Sequence, residues 1–503
     1  MFLGIDIGTS GIKATIIDER GNMCARAYRP LRAYGAVERK RELSPVQVKE
    51  ETLQAVAEVL HTSPTEKIRL ITVASLGEAV VPVGADGCVL MNSIVGSDSR
   101  GSEELKEVAC RFGEEKLTEI TGLNLSYIYS LNKMLYIRKH YPEIHRKVWK
   151  YMCFTDYIGF VLTGEAVIDY SMASRTMAFD IRKKRWSDEI LNAVQISKEL
   201  LSHPVPGGTV AGTLRKEIKE ELGIFYDIPV LVGSHDHIFN AIGAGAVKPG
   251  ICSNTVGTTE GITTVLGSRI DSRSIRENLI SCEPFVRPHL YNTVAWHNAA
   301  GAGVNWFLDH FFGRSEEPKD LILAGLNRQQ SHPPSHLLVV PHFAGATAGH
   351  MDEKAKAAVI GITMATSREE IYKAILEGTA FECRVILDSI RHAGIPVKKV
   401  VVSGGGSKSS LWMQIRSSIL GRELYCSACA DTGALGGAVL GAVVLGLYRS
   451  LKDAAGQMVR PGTVVEPEAE AARIYEERYE LYRQMYGRLR DINERLSDGV
   501  SYV

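Results

Sequence analysis

Two short glycine–hydroxyl turns, half a chain apart, constrain this sequence more than any other feature. They are residues 6–11 (DIGTSG) and 255–260 (TVGTTE). Each turn ends a run of β-forming residues with Gly-Thr and a second hydroxyl residue. Because the second copy lies near the midpoint of the 503 residues, the echo favours a duplicated unit, although so short a match also arises by chance. A glycine-rich segment, residues 241–250, lies just before it, and we place a domain boundary between residues 244 and 245.

Short apolar runs bounded by turn residues predict an α/β fold. The runs at 2–7 and 12–17 flank the first turn and predict a strand pair. Three further runs, 70–74, 230–232 and 400–402, are continuously apolar, as in parallel strands covered on both faces. Helices are predicted between them. The clearest starts at Pro45, behind a serine N-cap, and follows a periodic pattern to about residue 61.

The charge balance and the apolar content exclude several classes of protein. Lys+Arg and Asp+Glu both number 58, so no net field recruits nucleic acid or an anionic membrane. The longest apolar stretch, residues 434–448, is shorter than the ~20 residues that span a bilayer and predicts a buried helix. The N-terminus lacks a basic signal region, and the nine cysteines are scattered. We therefore expect a cytoplasmic protein without a membrane segment.

The C-terminal tail predicts a helix with one aromatic face. Its stripe combines tyrosines with aliphatic residues at helical spacing: Ile474, Tyr475, Arg478, Tyr479, Tyr482, Tyr486 and Leu489. Such a stripe is typical of core packing. A homodimer seam is the alternative.

The two turns are candidates for phosphate binding. A glycine-rich turn with adjacent hydroxyls leaves backbone N–H groups unpaired and accessible, which suits a phosphate. Two such turns can hold one polyphosphate from both sides, whereas two ordinary hairpin turns are the alternative. Lys13 adds a cation to the first turn, and Asp6 offers an oxygen toward Mg²⁺.

A third glycine cluster, residues 404–409 (GGGSKS), joins the strand at 400–402 to a helical pattern. A strand-to-helix loop of this kind suits a nucleotide, because a helix N-terminus favours negative charge. The cluster has neither the GxxxxGK[ST] nor the GxGxxG spacing. This argues against a P-loop or Rossmann site.

Polar residues follow two of the predicted strands, at the end where open α/β sheets bind ligands. Residues 234–237 (SHDH) follow one strand, and Asp236 there is a candidate general base. The alternating histidines also suggest a metal site, although alternate residues on one segment rarely complete a coordination shell. Glu78, Asp98 and Arg100 follow the strand at 70–74, as site residues or as solvated loop charges.

Two signatures carry a resemblance to a known family. Residues 357–362 (AAVIGI), seven further residues and then 370–377 (EIYKAILE) fit one signature at every specified position. A second signature is matched in part by Ser130-x-x-Lys133-x-x-Tyr136, with Tyr136 where tryptophan is preferred. On these segments the chain resembles, nearly end to end, the FGGY family of carbohydrate kinases, in the actin/Hsp70/hexokinase-like superfamily.

The resemblance implies two RNase H-like domains, residues 1–244 and 245–503, that close over ATP and an open-chain sugar in a cleft between them. Asp236 matches the family's catalytic base, with Glu78 and His237 as further substrate contacts and Asp6 as a water-mediated Mg²⁺ ligand. By similarity the nucleotide site contains two phosphate loops and their surroundings: Asp6, Gly8, Thr9, Ser10, Lys13, Gly257, Thr258, Gly301, Asn305, Gly405 and Ser409.

Departures from the family pattern bear on the substrate. Glycerol kinases carry Arg-Glu where this chain has Gly77-Glu78, and an aromatic residue where it has Ile128. Xylulokinases usually show Gln-Met-His-Gly where it has LGEA at residues 76–79. We therefore expect a kinase of a four- to six-carbon ketose or polyol, nearest the xylulokinases or fuculokinases, rather than of glycerol. A non-catalytic sugar or nucleotide sensor on the same fold, and an assembly protein of the actin kind, are the alternatives from other classes.

Overall fold

Two mixed β-sheets form the centre of the fold. The computed structural model describes residues 1–32, 41–62, 67–313, 315, 317–329, 334–347 and 349–498. The strands of the first sheet are β1 (Phe2–Ile7), β2 (Gly11–Ile17), β3 (Met23–Pro30), β4 (Leu70–Ser75), β5 (Val210–Thr213), β6 (Pro229–Leu231) and β7 (Ser234–His235). Those of the second are β8 (Gly250–Val256), β9 (Glu260–Leu266), β10 (Glu283–Pro284), β11 (Tyr291–His297), β12 (Val397–Ser403), β13 (Leu424–Ser427) and β14 (Pro461–Val465).

The two sheets repeat one arrangement of five strands. In the first, the order is β6-β4-β1-β2-β3, with β1 antiparallel to β2 and parallel to β4. In the second, the order is β13-β12-β8-β9-β11, with β8 antiparallel to β9 and parallel to β12. Both glycine turns join the first two strands of their sheet. The echo in the sequence therefore reflects a repeated fold, and the three predicted parallel strands are confirmed, with ends that differ from the prediction by at most three residues.

Helices cover both sheets. Their bounds are α1 (Pro45–Thr62), α2 (Ser102–Phe112), α3 (Glu114–Thr121), α4 (Ser130–His140), α5 (Pro142–His145), α6 (Phe154–Thr163), α7 (Tyr170–Ser174), α8 (Asp188–Val194), α9 (Lys216–Glu221), α10 (Asp236–Gly243), α11 (Ser272–Asn278), α12 (Gly301–Phe312), α13 (Lys319–Gln329), α14 (Arg368–His392), α15 (Ser410–Leu420), α16 (Thr432–Val444), α17 (Leu451–Met458) and α18 (Ala469–Asp498).

Short strand pairs complete the loops, namely Glu42–Leu43 with Ser93–Ile94, Val81–Gly84 with Val148–Met152, Val167–Asp169 with His203–Val205, Phe179–Asp180 with Arg185–Trp186, and Leu338–Val340 with Ala358–Ile360.

Helix α1 begins where its sequence predicts. The Ser44 hydroxyl accepts the Gln47 N–H at 3.3 Å, and Pro45 occupies the first turn, where its missing N–H costs no hydrogen bond. The apolar face of α1 packs on β2 and β3 and buries Val48 and Val56 completely or nearly so.

Helix α16 joins the two halves of the chain. It lies beyond the predicted boundary at residue 244, yet it packs on β1 and β4 of the first sheet and on α10. The contact with α10 is so close that a Cβ added at Gly436 would lie 1.9 Å from the carbonyl oxygen of Phe239. Since it is apolar on all sides, α16 needs this burial, as its sequence predicts. The packing also brings the start of α16 next to the first glycine turn.

Helix α18 carries its tyrosine stripe into the core of the second half. The hydroxyls of Tyr475 and Tyr482 donate to the carboxylates of Glu377 and Glu382 of α14, at 2.8 and 2.6 Å. The core-packing interpretation of the stripe is therefore right, because the chain itself covers the face proposed for a dimer seam. No described helix is long and apolar enough to cross a bilayer.

Candidate active site

The first glycine turn closes the β1–β2 hairpin. The N–H of Gly8 donates to the carbonyl of Gly11 at 2.9 Å, and the intervening Thr9 and Ser10 are exposed. Asp6 pairs with Lys13 in the strand register, and Lys13 Nζ donates to Asp6 Oδ2 at 2.8 Å. The five residues predicted for the first phosphate loop thus lie together, with one cation beside one carboxylate.

The second glycine turn is joined to the start of α12. The N–H of Gly257 donates to the carbonyl of Thr259 at 2.9 Å, which closes the β8–β9 turn. The carbonyl of Gly257 in turn accepts the N–H of Gly301 at 2.9 Å. Glycine is required at 301, since an added Cβ would lie 2.6 Å from that carbonyl oxygen. Thr258 and Asn305 are exposed beside this junction.

The third glycine cluster follows β12, next to the second turn. The hydroxyls of Ser403 and Thr255, at the ends of β12 and β8, lie 3.2 Å apart. Gly405 is exposed, and a Cβ added there would meet nothing within 4 Å, so its backbone is accessible to a ligand. The Ser409 hydroxyl already has a structural role: it accepts the Trp412 N–H at 3.3 Å and caps α15.

Carboxylates converge where α10 and α16 begin. Asp236 is the first residue of α10, and Asp431 precedes α16, where it caps the helix and accepts the Thr15 hydroxyl at 2.7 Å. A Cβ added at Gly433 would lie 3.7 Å from Asp431 Oδ1 and 3.9 Å from Asp6 Oδ2. Burial raises the pKa of Asp6, and the charges of Asp431 and Asp236 raise it further. Oxygen donors in this arrangement fit Mg²⁺.

A buried ion-pair cluster lies within range of the Asp236 charge. Arg175, directly after α7, pairs with Glu78 and, at 3.0 Å, with Glu283. Its guanidinium carbon lies 5.2 Å from the ring centre of Tyr129 and 5.6 Å from that of Trp296. Glu283 and Trp296 belong to the second half of the chain, so both halves contribute residues to this cluster.

The histidines on either side of Asp236 lie close to this carboxylate and within range of the charge of Arg175. The His237 N–H donates to Asp236 Oδ1 at 2.6 Å, and His235 Nε2 lies 3.5 Å from the same oxygen. The His237 ring fills the space over Gly261, where an added Cβ would lie 1.9 Å from His237 Cε1. Burial lowers the pKa of His235 and takes that of His237 to about 4, so both rings are neutral near pH 7.

A metal ion between these histidines and Asp236 stays a geometric possibility, since one ligand atom of each lies within 4.8 Å of the others. Two imidazoles are poor ligands for Mg²⁺, however, which prefers oxygen. The pKa of Asp236 itself is raised to about 6, mainly by burial.

Asp98 and Arg100 brace a loop instead of lining the pocket. Their side chains form a buried pair that Glu42 extends, and the signature residue Lys133 donates to the carbonyls of Asp98, Arg100 and Tyr127. These two residues are therefore neither site residues nor solvated loop charges.

Sequence reasoning missed four residues of the site: Asp431, Arg175, Glu283 and Trp296. Asp431 had a local signal, because it stands as an N-cap before the apolar run at 434–448. The other three had none, since they come from distant segments that only the packing of the two halves brings together.

The two repeated sheets, each with a glycine turn between its first two strands, define the actin-like ATPase fold. The chain belongs to the FGGY family of carbohydrate kinases: the family's N-terminal domain matches residues 1–243 and its C-terminal domain residues 252–445. It is thus a carbohydrate kinase.

Curated relatives match over nearly the whole chain. Xylulose kinase from Bacillus subtilis (strain 168) is 27% identical over 499 residues, covering 98% of each chain. Gluconokinase from the same organism is 25% identical, covering 91% of this chain and 90% of the relative.

Solved structures agree with the fold. A ligand-bound xylulose kinase from Lactobacillus acidophilus superposes with a TM-score of 0.88 at 22% identity, covering 98% of this chain and 99% of the other. Plasmodium falciparum glycerol kinase with ADP superposes with a TM-score of 0.84 at 21% identity, covering 97% of both.

Proposed function

We propose that this protein transfers the γ-phosphoryl group of ATP to a primary hydroxyl of a neutral open-chain ketose, with a ketopentose such as xylulose as the first candidate. One observation carries the proposal: Asp236 lies close enough to Lys13 of the first glycine turn and to Arg175 of the Glu78–Arg175–Glu283 cluster for both charges to lower its pKa. A hydroxyl held by the cluster and a phosphate held by the turns would meet at this carboxylate.

Asp236 serves as the general base. Its side chain is partly open to the pocket, and its pKa of about 6 leaves it largely ionised at neutral pH. A base with a pKa just below the working pH combines the ionised form with useful proton affinity. It takes the proton of the attacking hydroxyl, while the neutral His235 and His237 are free to hydrogen-bond other hydroxyls of the sugar.

The two glycine turns hold the phosphates. Phosphate oxygens would accept hydrogen bonds from their backbone N–H groups and from the exposed hydroxyls of Thr9, Ser10 and Thr258, and Lys13 would supply a cation. Asp6, with Asp431 beside it, would hold Mg²⁺ through water, and this ion spreads charge during phosphoryl transfer. Gly405 leaves room for the nucleotide, and the exposed Asn305 of α12 is a further candidate contact.

The charge of the pocket favours a neutral sugar over an aldonate. Arg175 already faces two carboxylates, Glu78 and Glu283, and Asp236 adds a third. Lys13 is paired with Asp6. A substrate carboxylate such as that of gluconate would enter a region of excess negative charge, where like charges inside a low-dielectric site repel strongly. Hydroxyls, in contrast, donate to these carboxylates.

A substrate screen tests the proposal. ADP release would be measured with ketopentoses, ketohexoses including fuculose, polyols, glycerol and gluconate, at saturating ATP and Mg²⁺. We expect the highest kcat/KM for a ketopentose, with gluconate and glycerol at least ~100-fold lower, as for sites that leave polar groups unpaired with the wrong substrate. A kcat/KM for gluconate above that for every neutral sugar would overturn the proposed substrate class.

A further inference from the structure

A second cluster of metal-ligating side chains lies in the second half of the chain, apart from Asp236 and both glycine turns. It combines His342 and His350, from the loop between Leu338–Val340 and Ala358–Ile360, with Glu382 of α14. One ligand atom of each residue lies within 4.8 Å of those of the other two. Three residues from separate turns of chain thus converge on one point.

We infer that His342, His350 and Glu382 bind a divalent transition metal of the zinc class, with a fourth position open to water. Two imidazoles and one carboxylate are a common zinc ligand set, and imidazole discriminates against Mg²⁺ and Ca²⁺. Tetrahedral ligands at ~2.0–2.1 Å from zinc stand about 3.3 Å apart. His342 Nε2 and Glu382 Oε1 already lie 3.2 Å apart.

The burial and charge of the cluster support a cation there. The side chains of His342 and Glu382 are only 2% and 1% exposed. No Lys or Arg contacts Glu382 among the described ion pairs. A buried carboxylate without such a partner is costly unless a cation or strong hydrogen bonds compensate it.

The surroundings orient these ligands. The Tyr482 hydroxyl donates to Glu382 Oε2 at 2.6 Å, which leaves Oε1 for the metal. The His350 ring stacks on Tyr486, with ring centres 3.9 Å apart. Hydrogen-bonded and packed neighbours of this kind are what fix metal ligands in place. All three residues line a cavity of about 310 Å³, together with Asp388 and Tyr479, and this cavity offers a route of entry.

The metal would fix the position of a loop that contacts Trp296 of the candidate active site. Between His342 and His350, the Thr347 hydroxyl donates to the carbonyl of Trp296, the residue that packs on Arg175. The Phe343 ring packs on Trp306 of α12, with centres 4.9 Å apart. A metal that joins this loop to α14 would therefore hold the loop in place beside Trp296 and Arg175.

Calorimetric titration of the metal-stripped full-length protein with Zn²⁺ alone tests the inference. We expect one site per chain with micromolar or tighter affinity, no competition by Mg²⁺, and a higher Tm for the loaded protein. His350→Ala should weaken zinc binding by about 100-fold or more. Loss of a ligand should cost at least as much metal affinity as loss of a group that only hydrogen-bonds to a ligand. The matched control His289→Ala removes an exposed histidine of the same half and should leave binding unchanged.

Co²⁺ supplies a readout of the ligands. The loaded wild type should show the visible absorption bands of a four-coordinate site, and His350→Ala should lose them. Wild-type protein that binds no Zn²⁺ would overturn the inference and leave His342 and Glu382 as an ion pair. Unchanged affinity in both His350→Ala and Glu382→Gln would overturn it as well. These outcomes are independent of which sugar is phosphorylated.

Discussion

At the scale of single residues, the proposed chemistry depends on the environment of Asp236. Burial raises its pKa, while the His237 N–H and the charges of Lys13 and Arg175 stabilise the ionised form. The carboxylate is thus both basic enough to accept a proton and ionised when it must do so.

Replacing Asp236 by Asn removes the proton acceptor and keeps the size of the side chain. We expect kcat to fall by about 10²–10⁴-fold, the usual contribution of general acid–base catalysis. ATP affinity, measured by calorimetry, should barely change. A variant with more than half of the wild-type turnover would exclude Asp236 as the base.

The pH profile follows from the same pKa. Because the base acts when deprotonated, activity should be lost as the pH falls through about 6, the raised pKa of Asp236. Below that value, kcat/KM should decrease about tenfold per pH unit. Steady-state kinetics from pH 4.5 to 8, with the fold checked by circular dichroism, measures this limb. A flat profile through pH 6 in the folded protein would contradict the assignment.

Glu78→Gln removes one of the two carboxylates that face Arg175. We expect kcat/KM for the best sugar to fall by about 10–100-fold, equivalent to the ~1–3 kcal/mol cost of an unpaired buried group. ATP affinity should stay near the wild-type value. Because the change also weakens a buried ion pair, its Tm should be measured alongside.

A matched control separates this effect from general charge loss. Glu19→Gln breaks an exposed pair with Arg69 and should alter neither property. Equal kcat/KM for wild type and Glu78→Gln on every sugar would remove Glu78 from the substrate site.

At the scale of elements, the two glycine turns are the units proposed to bind the phosphates. A valine at position 257 would cover the backbone where a phosphate must approach. Its Cβ would lie 3.4 Å from the nearest atom, the Thr259 carbonyl oxygen, so the hairpin itself should persist. We expect Gly257→Val to weaken ATP binding by more than ~10-fold, with sugar binding retained.

The control for this variant is Gly456→Val, at an exposed helical position with open space around it. Both variants should be compared by calorimetric titration with ATP and with the sugar. Unchanged ATP affinity in Gly257→Val would show that the second turn is only a hairpin.

Elements with a strong local pattern could be predicted from the sequence. Helix α1 has its cap, its proline and its period, and β4 and β12 have continuous apolar runs. Strand β3 could not be predicted, because Ala27 is its only fully buried residue and its pattern is largely exposed. The ion pair between Arg175 and Glu283 could not be predicted either, since 108 residues separate them and neither lies in a recognisable motif.

At the scale of the whole molecule, the two halves are interdependent. Helix α16 of the second half covers β1 and β4 of the first sheet. Arg175 and Glu283 form an ion pair between the halves. The predicted boundary at residue 244 therefore separates the two sheets in the sequence, although residues on either side of it pack against each other.

A fragment of residues 1–244 tests this interdependence. Without α16, it would expose the apolar face of its sheet, so we expect aggregation or the loss of a cooperative thermal transition. The full-length protein under the same conditions is the control. Cooperative unfolding of the fragment at the wild-type Tm would show that α16 is dispensable for the first sheet.

The identity of the product shows most directly whether this protein transfers a phosphoryl group from ATP to a ketose. The wild-type protein would be incubated with ATP, Mg²⁺ and xylulose, and the product examined by ³¹P NMR together with ADP release. We expect one phosphate monoester per ADP, coupled to the two protons of a primary carbon, and almost none with Asp236→Asn. ATP hydrolysis without a sugar phosphate, or no ketose phosphate from any sugar of the screen, would contradict the proposed ketose kinase activity.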